Sequence, residues 1–168
     1  MIASRWRYVS VGVLVILATG FSFQHAFAET SAFYAEVSGK VKKPTSCPEG
    51  AFICGQTTIE GFGPAEFLYY LTGGVPTSNA CVDYTAIAIF VLADESRLVL
   101  DETGAACGPG NSFFTTPPHS WGNPTEVEGS WTVADATGQF SGLTGSGTNS
   151  AQVAGAQLSA VYQGTLES

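Results

Sequence analysis

Basic residues are scarce in this chain: six Lys and Arg stand against fourteen Asp and Glu among 168 residues. A surface so short of positive charge repels phosphates, which argues against nucleic acids and anionic membranes as partners. Histidine is nearly absent too, with His25 and His119 the whole supply. A Ser-His-acid triad would have to use His119, but no GxSxG elbow exists and Pro117-Pro118 fixes it in a loop. The short CxxC pairs of zinc sites are missing as well, so metal is the weaker use of the four cysteines. Neither heptads nor a strand-helix-strand rhythm follows the first thirty residues, which excludes coiled coils and most α/β architectures. No cofactor motif is present, and none is expected.

Residues 1–28 have the layout of a secretory signal. Arg5 and Arg7 form a positive start, Val9 to Leu17 a short apolar core, and Ala26-Phe27-Ala28 a cleavage site after Ala28. Even stretched to Phe23, the apolar run is shorter than the roughly 18 to 20 residues of a membrane span. An uncleaved anchor is the alternative. The reading is a secreted protein, periplasmic if the host has an outer membrane, with no stable membrane span after processing. The mature part, 29–168, is then one domain whose net charge is −10 once Arg5 and Arg7 are removed.

All four cysteines lie in that part, and an exported chain favours two disulfides, with three connectivities. Val82 to Leu92 and Arg97 to Leu100 read as strands around the turn Ala93-Asp94-Glu95-Ser96. In that hairpin opposed residues have numbers summing to about 189, and Cys81 with Cys107 sums to 188. Cys47 and Cys54 flank the turn signal Pro48-Glu49-Gly50. The expected bridges are therefore Cys47–Cys54 and Cys81–Cys107.

Strand patterns fill the remainder. Phe33 to Val41, Phe52 to Phe62 and Ala65 to Leu71 are the first three, the last ended by Thr72-Gly73-Gly74-Val75-Pro76. After the hairpin come Val127 to Ala134, Gln139 to Thr148 and Gln152 to Leu166. In the closing stretch Ala154, Ala156, Leu158, Ala160, Tyr162 and Leu166 alternate with polar residues, a strand with one buried face. About eight strands with glycine and proline punctuation predict an all-β fold, an antiparallel barrel with a β-sandwich as alternative. Ala105 to Thr125 reads as a long loop holding Phe113, Phe114 and Trp121, either packed across one barrel end or gating a ligand. The glycine-rich Gly142 to Gly147 is read as a turn or bulge, because no helix follows it to cradle a phosphate.

Thr137-Gly138-Gln139-Phe140-Ser141-Gly142-Leu143-Thr144-Gly145 resembles the TGxFxGxxG segment of dirigent proteins, allene oxide cyclases and related secreted bacterial proteins. The likeness covers about the last forty residues. It implies an eight-stranded antiparallel barrel whose interior holds an apolar small molecule. Those families often place a basic residue before the phenylalanine, where this chain has Gln139. None of their catalytic positions can be matched, so none is carried over.

Carboxylates remain as candidates for acid–base work. Asp94-Glu95 is assigned to the hairpin turn and Asp101-Glu102 to a strand end, both solvated. Asp83, on the face shared by Thr85, Ile87, Ile89 and Val91, is the candidate for an acid at the lumen mouth. Tyr84, Phe114, Trp121 and Trp131 are the candidate ligand-binding residues. Three function classes follow. The first is a barrel binding a small apolar molecule, the second a structural or interaction protein with a filled core, the third a cyclase- or isomerase-like enzyme. Apolar residues on both faces of Val82 to Leu92 need cover, which points to a homo-oligomer.

Overall fold

The computed structural model describes residues 29–41, 47–78, 80–108 and 125–168. Eight antiparallel strands close into an up-and-down barrel in which each strand pairs with its sequence neighbours and β8 returns to β1. They are β1 (Thr30–Val41), β2 (Ile53–Ile59), β3 (Gly63–Pro76), β4 (Cys81–Leu92), β5 (Arg97–Cys107), β6 (Thr125–Ala136), β7 (Thr144–Ala154) and β8 (Gln157–Glu167). Closure leaves no edge to aggregate, and eight strands enclose an interior just wide enough for side chains. The sandwich alternative is thereby set aside. Residues 1–28, with the proposed signal and its cleavage site, lie outside the described residues, as do 109–124.

Several strand limits differ from the sequence expectation. β3 runs through Thr72-Gly73-Gly74-Val75-Pro76, because a bulge between Leu71 and Gly73 absorbs the glycines while pairing with β4 continues. β5 reaches Cys107 instead of stopping at Leu100. The segment 139–148 is not one strand: Gly138–Phe140 forms a 3-10 turn before β7 begins at Thr144. The closing alternation from Gln152 is likewise broken, since Ala154 pairs with Gln157 across a Gly155-Ala156 turn. Gly155 takes φ +61°, a conformation that glycine adopts without penalty. Inward parity switches at that turn, from odd numbers (Asn149, Ala151, Val153) to even ones (Leu158, Ala160, Tyr162).

Both expected disulfides are present. Cys81 and Cys107 are directly opposed in the β4–β5 ladder, at the end of the hairpin remote from its turn. Cys47–Cys54 folds residues 47–52 back onto the outer wall, where Ala51 is buried and the Phe52 amide donates to the Tyr69 carbonyl at 2.7 Å. Removing that bridge (C47A/C54A) is expected to cost about 2 kcal/mol in chemical denaturation, the entropy of freeing a short loop in the unfolded chain. A loss under about 0.5 kcal/mol would show that the loop is held without it.

The opposite barrel end is plugged. Phe140 is fully buried against Phe62, with ring centroids 4.5 Å apart. The turn carrying it is tied to the β4–β5 hairpin: the Gln139 amide donates to Ser96 Oγ at 2.9 Å and Gln139 Nε2 to Asp94 Oδ2 at 2.7 Å. Those bonds hold the Asp94 carboxyl below its usual range, the Gln139 contribution being largest. Gly138, at φ +62°, admits the approach of Ser96, which a β-carbon would block.

Inside, the barrel turns its corners on pairs of facing glycines. Gly147 pairs with Gly164, which faces Phe33 on the next strand, and Trp131 pairs with Gly147 from the other side. The Trp131 ring lies across both glycines, within 2.6 Å of where their β-carbons would stand, and meets Phe33 edge-on at 5.3 Å. Phe33, Phe90, Phe67 and Tyr162 continue this aromatic core with centroid separations of 5.3 to 5.8 Å. Edge-to-face contacts of this kind add to the area they bury. Gly39 and Gly55 make a second such pair, flanked by Leu158 and Phe67.

Candidate functional site

A third glycine pair builds the polar centre of the lumen. Along one cross-strand row run Tyr84 on β4, Gly104 on β5, Gly129 on β6, Asn149 on β7 and Tyr162 on β8. Side chains at the two glycine positions would fill the gap: a β-carbon at Gly129 would stand 2.6 Å from both Asn149 Oδ1 and the Tyr84 hydroxyl. Their absence lets Asn149 Nδ2 donate to the Tyr84 oxygen at 3.3 Å. The same Nδ2 donates to Glu102 Oε2 at 3.3 Å, so one asparagine holds a tyrosine and a carboxylate together.

Glu102 is 1% exposed. It sits one inward position from Gly104, opposite Ala86 on β4 and Trp131 on β6. Its carboxyl is pushed up to about 7, because burial penalises the charged form. The Tyr162 and Tyr69 hydroxyls pull the other way. Both hydroxyls lie close enough to the carboxyl to favour its charged form, yet Glu102 Oε1 itself makes no hydrogen bond. Asn149 Oδ1 is buried and unpartnered as well. The tyrosines respond in kind. Burial, then the nearby Glu102 charge, pushes Tyr84 up to about 12, and raises Tyr69 and Tyr162 well above the ordinary phenol value. All three phenols therefore stay protonated at neutral pH.

Beside this cluster lies a cavity of about 20 Å³, lined by Ile53, Phe67, Tyr69, Asn149, Leu158 and Tyr162 among others. That is room for about one water. Ile53, Val153 and Leu158 close it toward the disulfide-bearing end, and each stands at the first, or next to the last or first, position of its strand.

The sequence reading placed the luminal acid on the wrong residue. Asp83 is exposed on the outer wall, because odd positions of β4 face outward. The acid inside is Glu102, assigned above to a solvated strand end. It points inward because β5 continues five residues beyond it, keeping the parity of Leu98 and Leu100. Tyr84 does belong to the cluster. Trp131 is in the lumen but at another corner, where its indole N–H donates to the Thr148 carbonyl at 3.1 Å, and it does not line the cavity. Phe114, Trp121 and His119 lie outside the described residues. Tyr69 and Tyr162 count among the aromatics that favour a binding barrel without being candidate ligand-binding residues, and Asn149 and the glycines Gly104 and Gly129 were missed. Their signal was glycine at inward-facing strand positions, where a large side chain from the next strand must fill the space.

Among the described residues no three His, Cys, Asp or Glu side chains converge to hold a metal ion. Compared with protein-family models, curated proteins and solved structures, the chain finds no match in any of the three.

Proposed function

We propose that the protein is a secreted, disulfide-stabilised barrel that binds a small, largely apolar molecule in its lumen. The observation that carries this reading is a pair of unpartnered buried acceptors: Asn149 Oδ1, on a residue lining a largely apolar cavity, and Glu102 Oε1, on the carboxyl that Asn149 holds just behind that lining. A buried acceptor without a donor costs about 1 to 3 kcal/mol, and a bound hydroxyl or amine would remove that cost. The ligand we propose is an apolar body with one donor group, and the strand ends have to spread to admit it, since the closed cavity holds about one water. It enters from the disulfide-bearing end, where strand-terminal residues have the fewest ladder bonds to break. Secretion rests on the layout of residues 1–28 and agrees with two disulfides, which oxidising compartments favour. The likeness of residues 137–145 to dirigent proteins and allene oxide cyclases points to the same kind of ligand.

The small size of the cavity favours a second reading, a core filled by its own side chains with function confined to the outer surface. The buried carboxyl also meets the requirement of the third class, an isomerase- or cyclase-like enzyme in which Glu102 would exchange a proton with its substrate.

Native mass spectrometry of protein secreted by its own host separates these. Mass above the oxidised chain that disappears on denaturation, and that E102Q protein fails to carry, is the result expected for a luminal ligand. The bare mass in both wild type and variant would move the filled-core reading into first place.

A further inference from the structure

We propose that the outer wall of β4 and β5 is a self-complementary docking surface for a second copy of this chain. The outward residues Ile87, Ile89 and Val91 on β4 and Val99 on β5 are apolar and half-buried, while Leu68, the neighbouring outward residue of β3, is already buried and bounds the patch. Val99 lies opposite Ile89, and Ile89 opposite Leu68. Two residues to one side of Val99 on the same face is Arg97, and two residues to the other side is Asp101, both exposed. Neither has an ion-pair partner among the described residues. Arg97 is the single arginine of the mature part, on a surface that is otherwise strongly acidic.

This placement has a symmetry that a docked copy would use. A two-fold axis laid along the Ile89–Val99 row reverses strand direction while keeping each of these two strands over its own counterpart. It sets Val99 on the partner's Val99, Ile89 on the partner's Ile89, and Ile87 on the partner's Val91. Arg97 then faces the partner's Asp101, and Asp101 the partner's Arg97, two ion pairs from one operation. No apolar residue of the patch is set against a charge.

Both walls are convex, so the area buried is below that of a standard interface and the dimer is a weak one. Its specificity lies in the charge pairs, which also give the test. Sedimentation velocity of the mature, oxidised protein from about 1 μM to about 1 mM, at physiological salt, is expected to show a monomer–dimer equilibrium. R97D and D101R, each checked for folding by circular dichroism, are each expected to weaken dimerisation about tenfold or more, because each sets like charges together. The double variant R97D/D101R reverses both pairs and is expected to restore the wild-type equilibrium. A wild type that stays monomeric throughout, single variants that dimerise like wild type, or a double variant no better than the singles would each overturn the proposal.

Discussion

Replacing Glu102 by glutamine is expected to flatten the pH dependence of stability and to make the barrel more stable than wild type at pH 8. In the folded barrel the Glu102 carboxyl ionises at about 7, against an ordinary value of 4.5. Between those two values the unfolded chain has lost a proton that the native barrel still holds, so unfolding releases a proton and rising pH favours it. The stability contributed by the neutral carboxyl is therefore complete below pH 4.5 and gone above pH 7, a fall of about 3 kcal/mol. Other groups titrate over the same range, Asp94 among them with its opposite displacement. The informative quantity is thus the difference between wild type and E102Q. Urea denaturation at pH 4.5 to 8 should give near-equal stability at the acid end and a gap of up to about 3 kcal/mol in favour of E102Q at the alkaline end. Parallel curves for the two proteins would mean that Glu102 reaches solvent.

Trp131→Ala is expected to destabilise the barrel more than any other single truncation, by about 3 to 5 kcal/mol. The ring is 1% exposed and spans Gly147 and Gly164, so no neighbouring side chain can move in to fill its volume. Those glycines have no β-carbon to close the gap, and the backbone around them is fixed by the β6–β7 and β7–β8 ladders. The variant also leaves the Thr148 carbonyl without its indole donor. Trp131→Phe keeps most of the ring contact and loses that donor, for an expected cost of about 1 to 2 kcal/mol. Denaturant midpoints measure both. A cost for W131A below about 1 kcal/mol would contradict the corner packing described above.

The residues themselves mark both the hairpin disulfide and, by the same register, the inward acid. The opposition of Cys81 and Cys107 follows from the hairpin's turn, and the bridge it implied is present. That same opposition requires the β5 ladder to run to Cys107, and a ladder of that length places Glu102 opposite Ala86, on the inward face of Leu98 and Leu100. Assigning Asp101-Glu102 to a strand end was inconsistent with the disulfide deduced from the same hairpin. The barrel itself was legible because eight alternating segments and their breaks survive small errors in register. The Gly155-Ala156 turn was not. Alanines at 154 and 156 continue an even-numbered apolar pattern across it, and alternation carries no mark of a two-residue turn when both sides are small. The polar centre was obscured for a different reason. Tyr84, Asn149 and Glu102 come from three strands and meet only across Gly104 and Gly129, so their proximity is a property of closure and not of any local pattern.

Arg97 and Asp101 show the opposite case. Their spacing on one strand face is visible in the sequence, but its two-fold character emerges only once the neighbouring β4 row gives the axis a place to lie.

An ionisable carboxyl closed inside the barrel is the feature on which the luminal site depends, and following that group directly is the sharpest test. Titrating the side-chain carboxyl carbon of ¹³C-labelled Glu102 by NMR, with E102Q to assign the resonance, is predicted to give a midpoint near 7. A midpoint near 4.5, the ordinary value of a solvated glutamate, would contradict both the luminal site and the function proposed for it.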